Sequence, residues 1–245
     1  MKKPILRTLI LAAAAALAYA GCTYDGTGHG GRSGGGGNDG DSTFVDDSTQ
    51  FVDSTQFADS AKFVDSRDST TYRKVTIRSQ VWMAENLNYM GDDDNVIGRC
   101  YNDIPDSCAK YGRLYNWSTA MGGASSSTKV PSGVQGVCPV GWHLPSDAEW
   151  TTLTQFVGGA VGKLKSTSGW RAGGGNGTDD FGFSALPGGN LGTDNLFVLA
   201  GSNGRWWSAT EYSATNAYFL DMSSEVRMRF VEKDRHLFSV RCVRD

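Results

Sequence analysis

The spacing of apolar residues changes several times along this chain, and each change predicts a different kind of element. Tyr72, Val75 and Ile77 stand among polar neighbours in YRKVTIR, and this alternation predicts a first strand over 72–78. Leu114, Trp117 and Met121 then recur at helical spacing, which predicts a helix over 111–121. A second helix carries stronger marks. Ser146-Asp147-Ala148-Glu149 is a capping box, Pro145 precedes it, and Gly158 closes it. Trp150, Leu153, Phe156 and Val157 make its inner face. Beyond it come short segments separated by glycine. Phe181–Leu186, Trp206–Ala209, Asn216–Met222, Val226–Val231 and Phe238–Val243 are expected as strands. Two helices followed by short, mostly antiparallel strands place the chain in the α+β class. All seven tryptophans fall between 82 and 207, so the packed core is expected there.

Ahead of residue 72 the pattern is different. Residues 44–68 read FVDDSTQFVDSTQFADSAKFVDSRD, a phrase Phe-(Val/Ala)-Asp-Ser written four times. Phe51, Phe57 and Phe63 lie six apart, which scatters them around a helix and leaves no apolar stripe. In an extended chain the same even spacing puts them on one face, and the extra Asp47 shifts Phe44 to the other. The repeats are therefore expected as extended or unstructured spacer, duplicated from the phrase that leads into the first strand. A sharper alternative is that the phenylalanines clip onto a partner as added strands. The block GHGGRSGGGGNDG at 28–40 has the composition of a flexible linker. Residues 23–62 are accordingly expected to form a disordered stalk.

Residues 1–22 have the form of a targeting segment. Lys2, Lys3 and Arg7 precede an apolar run from Leu9 to Ala18 that is short for a membrane span. Ala18-Tyr19-Ala20 fits ordinary signal cleavage, whereas Ala20-Gly21-Cys22 resembles a bacterial lipobox with Tyr19 where leucine is usual. Cysteine parity favours the second. Of five cysteines, lipidation of Cys22 leaves Cys100, Cys108, Cys138 and Cys242, an even set suited to pairing in an oxidising compartment. A membrane partner through a lipid anchor at the bacterial surface is the expectation, with free secretion as the alternative. The formal net charge of −3 gives no reason to expect nucleic acid.

Seven longer phrases then make a resemblance. QVWMAENLNY, CAKYGRLYNWSTAM, CPVGWHLPSDAEW, KLKSTSGW, NGTDDFGFSALPGGN, WWSATEY and FSVRCVRD stand in the order of the Fibrobacter succinogenes major paralogous domain, over 63–245. That family comprises exported proteins without an established activity. GWHLPSDAEW and FSVRCVRD are also similar to the GWRLPTEAEW and GFRLVR phrases of the formylglycine-generating-enzyme family. The latter likeness implies a C-type-lectin-like fold. In such folds the terminal strand packs near the first helices, which implies pairing of Cys138 with Cys242 and leaves Cys100 with Cys108 as a short closed loop. The generating enzymes work through a late reactive cysteine pair. Here Cys242 alone is late, so structural disulfides are expected rather than catalysis.

The candidate chemistry is sparse. No CxxC, HExxH or GxSxG occurs, no metal site is assigned, and no catalytic residue is expected. His29 sits in the glycine block, His143 is expected as a packed or hydrogen-bonded structural residue, and His236 carries no motif. Asn176, Asp179 and Asp180 in NGTDDFG offer oxygen ligands for calcium, and the same residues favour a tight turn. The best ligand candidate is Trp206-Trp207 with Glu211, Tyr212 and Tyr218. Adjacent tryptophans in a strand point to opposite faces, so one ring is available to stack on a sugar while its neighbour fills the core. The expectation is an exported, non-enzymatic binding or adhesion module for polysaccharide. The alternatives are a structural envelope component and an enzyme related to the formylglycine-generating group.

Overall fold

The computed structural model describes residues 62–92, 95–171 and 175–245. The leader with Cys22, and the stalk up to residue 61, lie outside the described residues.

In chain order the strands of the first half are β1 (Lys62–Val64), β2 (Thr71–Ile77), β3 (Gln80–Met83), β4 (Gly91–Asp92) and β5 (Asn95–Val96). Next come α1 (Pro105–Tyr111), β6 (Leu114–Tyr115), α2 (Trp117–Met121), β7 (Trp142–His143) and α3 (Asp147–Phe156). The second half holds β8 (Asn190–Leu191), β9 (Phe197–Val198), β10 (Gly204–Glu211), β11 (Asn216–Met222), β12 (Val226–Glu232), β13 (Phe238–Ser239) and β14 (Val243–Arg244). Two five-stranded sheets result, ordered β1-β2-β3-β14-β7 and β12-β11-β10-β13-β6. Every pairing of these strands is antiparallel except β10 with β13. Few helices beside antiparallel sheets fit the α+β class that the pattern implies, with strands outweighing helices.

Three expectations need correction. The helix over 111–121 is broken. Gly112 follows α1 at φ +71, with a hypothetical Cβ lying 2.7 Å from the Leu87 carbonyl oxygen, so only glycine turns the chain there. Leu114 and Tyr115 then pair with β13, and helix resumes after Asn116, whose side chain accepts from the Thr119 amide at 2.7 Å. Leu114, Trp117 and Met121 are all buried, as their spacing suggested, but they sit on two elements. Phe181–Leu186 is not a strand, since Ser184 takes φ +53 and the segment makes only a bridge between Ala185 and Lys165. Phe238–Val243 divides, because buried Val240, Arg241 and Cys242 carry the chain from the second sheet to the first.

The capped helix forms as its sequence dictates. The Ser146 hydroxyl accepts from the Glu149 amide at 3.2 Å, and Glu149 Oε2 accepts from the Ser146 amide at 2.9 Å. Gly158, at φ +60, follows the Val157 cap. Below α3 lies one apolar cluster containing Trp82, Trp150, Phe183, Trp206 and Leu220. A second cluster holds Tyr115, Trp117, Met121, Trp207, Phe219 and Phe238. Between the sheets a buried polar hub ties the chain ends of several elements together. Asn86 Oδ1 accepts from Trp206 Nε1 at 2.8 Å and from Arg241 Nε and Nη2 at 3.1 and 2.8 Å. Its amide nitrogen donates to the Tyr111 carbonyl and the Ser239 hydroxyl.

Candidate functional site

Trp206 and Trp207 are both fully buried, and neither is available as an exposed stacking surface. The alternation of the strand holds. What differs is that β10 is the central strand of its sheet and both of its faces are covered. Trp206 lies 6.3 Å from Trp150 by ring centroids, and Trp207 lies 4.4 Å from Phe238. Their N–H groups are satisfied internally, Trp207 donating to the Tyr115 carbonyl at 2.7 Å.

The other predicted aromatics meet at the end of the same sheet. The β10–β11 register slips between Trp207 and Glu211, and the chain turns over Ser213–Thr215 into β11. This brings Tyr212 flat against Phe230 of β12, with ring centroids 3.7 Å apart and planes 6° from parallel. Tyr218, paired across the ladder with Phe230, stands edge-on to both. Tyr212 and Phe230 remain 51% and 49% exposed even while stacked. Phe230 was missed in the sequence, although the alternation of Val226, Met228 and Phe230 along VRMRFVE placed it on the same face as Tyr218. Glu211 points elsewhere. It pairs with Ala217 on the opposite face and accepts from Lys233 Nζ at 2.5 Å, while that ammonium also lies 4.6 Å from the Trp117 ring.

Four cysteines and His143 have structural settings among the described residues. Cys100 bonds to Cys108, and Cys138 to Cys242. His143 is buried, with Nε2 2.8 Å from Glu149 Oε1 and Nδ1 2.6 Å from Asp245 Oδ1. Desolvation lowers its pKa, but the two carboxylates outweigh it and hold the imidazole above its ordinary value. Through these two carboxylates it ties β7 to the first turn of α3 and to the last residue of the chain. Burial dominates at Arg241 over the opposing pull of Asp179 and Glu85, pushing its guanidinium down to about 9, which still leaves it charged at neutral pH.

The oxygens considered for calcium serve separate partners. Asp179 accepts from the Ser184 amide at 2.7 Å and its hydroxyl at 2.6 Å, Asn176 Oδ1 accepts from the Trp170 amide at 3.0 Å, and Asp180 lies 3.9 Å from Lys163 Nζ. The turn into Phe181 uses these residues, and among the described residues no three His, Cys, Asp or Glu side chains gather as a metal group.

A cavity of about 690 Å³ opens beside the Cys100–Cys108 bridge, lined by Arg67, Asp68, Thr70, Asn88, Asp92 and Arg113 among others. Its guanidinium at Arg67 is already committed, being chelated by Asp65, bonded to the Val137 carbonyl and laid over Tyr89 at 3.9 Å. Among the described residues Asn88 Oδ1 and Arg113 Nε find no hydrogen-bond partner, but both atoms are sealed from solvent, so a ligand atom reaches neither without side-chain movement.

These features define a class: a domain of few helices and antiparallel sheets with two disulfides, a buried polar hub and an exposed aromatic corner. The chain belongs to the Fibrobacter succinogenes major domain family, whose model matches residues 75–244. Comparison with curated proteins and with solved structures returns no match.

Proposed function

We propose that this protein is an exported, surface-held, non-enzymatic binding module for polysaccharide, with a C-type-lectin-like architecture. The observation that carries this reading is the corner of Tyr212, Phe230 and Tyr218. Two large rings keep about half their surface in water although they stack on each other, and Tyr218 locks them from the side. An apolar ring face of this kind suits the C–H face of a sugar. The exposed Ser213 and Thr215 hydroxyls of the adjoining turn supply polar groups that exchange hydrogen bonds with sugar hydroxyls. The Ala20-Gly21-Cys22 lipobox supplies a membrane anchor, and residues 23–61 supply reach beyond it.

A glycan array probed with the full exported chain tests the binding. Tyr212→Ala and Phe230→Ala are each expected to weaken the best glycan signal by about tenfold, the equivalent of roughly 1.4 kcal/mol of lost stacking. Melting temperature should change little, since both rings lie at the surface. A wild-type chain that binds no glycan favours a structural envelope role. Binding that survives both substitutions moves the site elsewhere.

A further inference from the structure

The docking of β1 shows what one repeat of the Phe-Val-Asp-Ser phrase does. Lys62, Phe63 and Val64 pair with Arg73, Tyr72 and Thr71 of β2 at the edge of the first sheet. Phe63 stacks on Trp142 at 4.2 Å and on Tyr72 at 5.6 Å. Asp65 is buried, its amide donates to the Thr70 carbonyl at 2.8 Å, and its carboxylate chelates Arg67. Lys62 and Val64 face solvent, Val64 at 60% exposure.

The upstream copies all keep the phenylalanine and the aspartate that make contact, while the exposed Val64 position is Val45, Val52 or Ala58. Phenylalanine recurs at 44, 51 and 57, and aspartate at 46, 53 and 59. The position of exposed Val64 is alanine in the third copy, Ala58, and the position of exposed Lys62 is Thr43, Gln50 or Gln56. The half-buried phenylalanine and the buried aspartate that follows the strand recur in every copy, so each copy carries the pair of contacts by which the fourth is docked. Ser66 is exposed yet repeated as Ser54 and Ser60, which suits the turn that follows the strand.

We propose that the β1 place, formed by the β2 edge with Trp142 and Tyr72, accepts the upstream repeat Gln56-Phe57-Ala58 of the same chain in exchange for Lys62-Phe63-Val64. In the exchanged state Phe57 stacks on Trp142 and Ala58 lies opposite Thr71. The connection back to β2 then runs over 59–70 instead of 65–70, twice the length. Doubling a flexible loop lowers the population of the closed state only about threefold. The local copy keeps a further advantage, because Arg67 follows Asp65 by two residues whereas Ala61 follows Asp59. The fourth repeat is thus the resident strand and the third its reserve, and each exchange shortens the tether by one repeat. The same chain is favoured over a second copy because its repeat is held at high effective concentration by the short connection.

A cysteine trap on the full chain reads this out. Val64→Cys with Thr71→Cys is the positive control for the resident register, since these positions face each other. Ala58→Cys with Thr71→Cys should give an intrachain link by non-reducing peptide mapping. Adding Phe63→Ala should raise its yield by about tenfold, and adding Phe57→Ala should remove it. Failure of the 58–71 link where the control forms overturns the proposal. So does a link found only between two chains, which would assign the place to a second copy, or a yield indifferent to Phe57→Ala, which would mean random encounter.

Discussion

Removing the two disulfides separately should have unequal effects, and the structure fixes the order. Cys138 and Cys242 are 104 residues apart, whereas Cys100 and Cys108 are 8 apart. In the chain-entropy treatment the long closure restricts the unfolded chain by about 4.7 kcal/mol and the short one by about 2.5 kcal/mol. Packing widens the gap. Cys138 and Cys242 are fully buried in the cluster around Tyr115, Trp142 and Phe238, so replacing them by alanine also leaves a void costing roughly 1 kcal/mol. Cys100 is only half-buried. At roughly 2–4 °C per kcal/mol for a domain of this size, Cys138→Ala/Cys242→Ala should lower Tm by about 10–20 °C, and Cys100→Ala/Cys108→Ala by about 5–10 °C. Differential scanning calorimetry on oxidised protein measures both, with non-reducing peptide mapping to verify the bond that remains. Equal losses, or a larger loss from the short loop, would refute the view that the long bridge staples the last strand to the approach of the capped helix.

Other outcomes follow from the buried polar groups and the leader. Asn86→Leu strands the Arg241 guanidinium and the Trp206 N–H at once, and should cost about 3–5 kcal/mol in urea unfolding, far more than Asn88→Leu. His143 has a folded pKa raised above its unfolded value of about 6.5, so its contribution is complete below that pH and is lost as pH rises through the folded pKa. The Tm advantage of wild type over His143→Gln should therefore shrink as pH rises above about 6.5, and an advantage that grows with pH contradicts the assigned carboxylate contacts. Cys22→Ser should release the protein from membranes of its native host on cell fractionation. Unchanged membrane association rejects the lipid anchor.

What the sequence determined by itself was local or was carried by long, ordered phrases. The capping box at Ser146–Glu149 forms as written because its two hydrogen bonds join residues three apart. Asn216–Met222 is a strand with the expected bounds because its alternation matches two flanking partners. The seven phrases were enough to name the family, and with cysteine parity and the fold likeness they led to the disulfide pairing found. Tertiary structure decided everything that depended on which faces are covered. Trp206 and Trp207 alternate as any strand does, yet only the central place of β10 shows that both sides are interior. Leu114 has helical spacing, but the close approach of Gly112 to Leu87 and the pairing with Ser239 made it a strand. The exposed corner arose the same way. Tyr212 and Phe230 are 18 residues apart in sequence and share no local signal, and a register slip beside the β10–β11 turn sets one ring on the other. Periodicity reports which residues share a side of an element, whereas burial depends on what packs there, and that information resides in contacts distant along the chain.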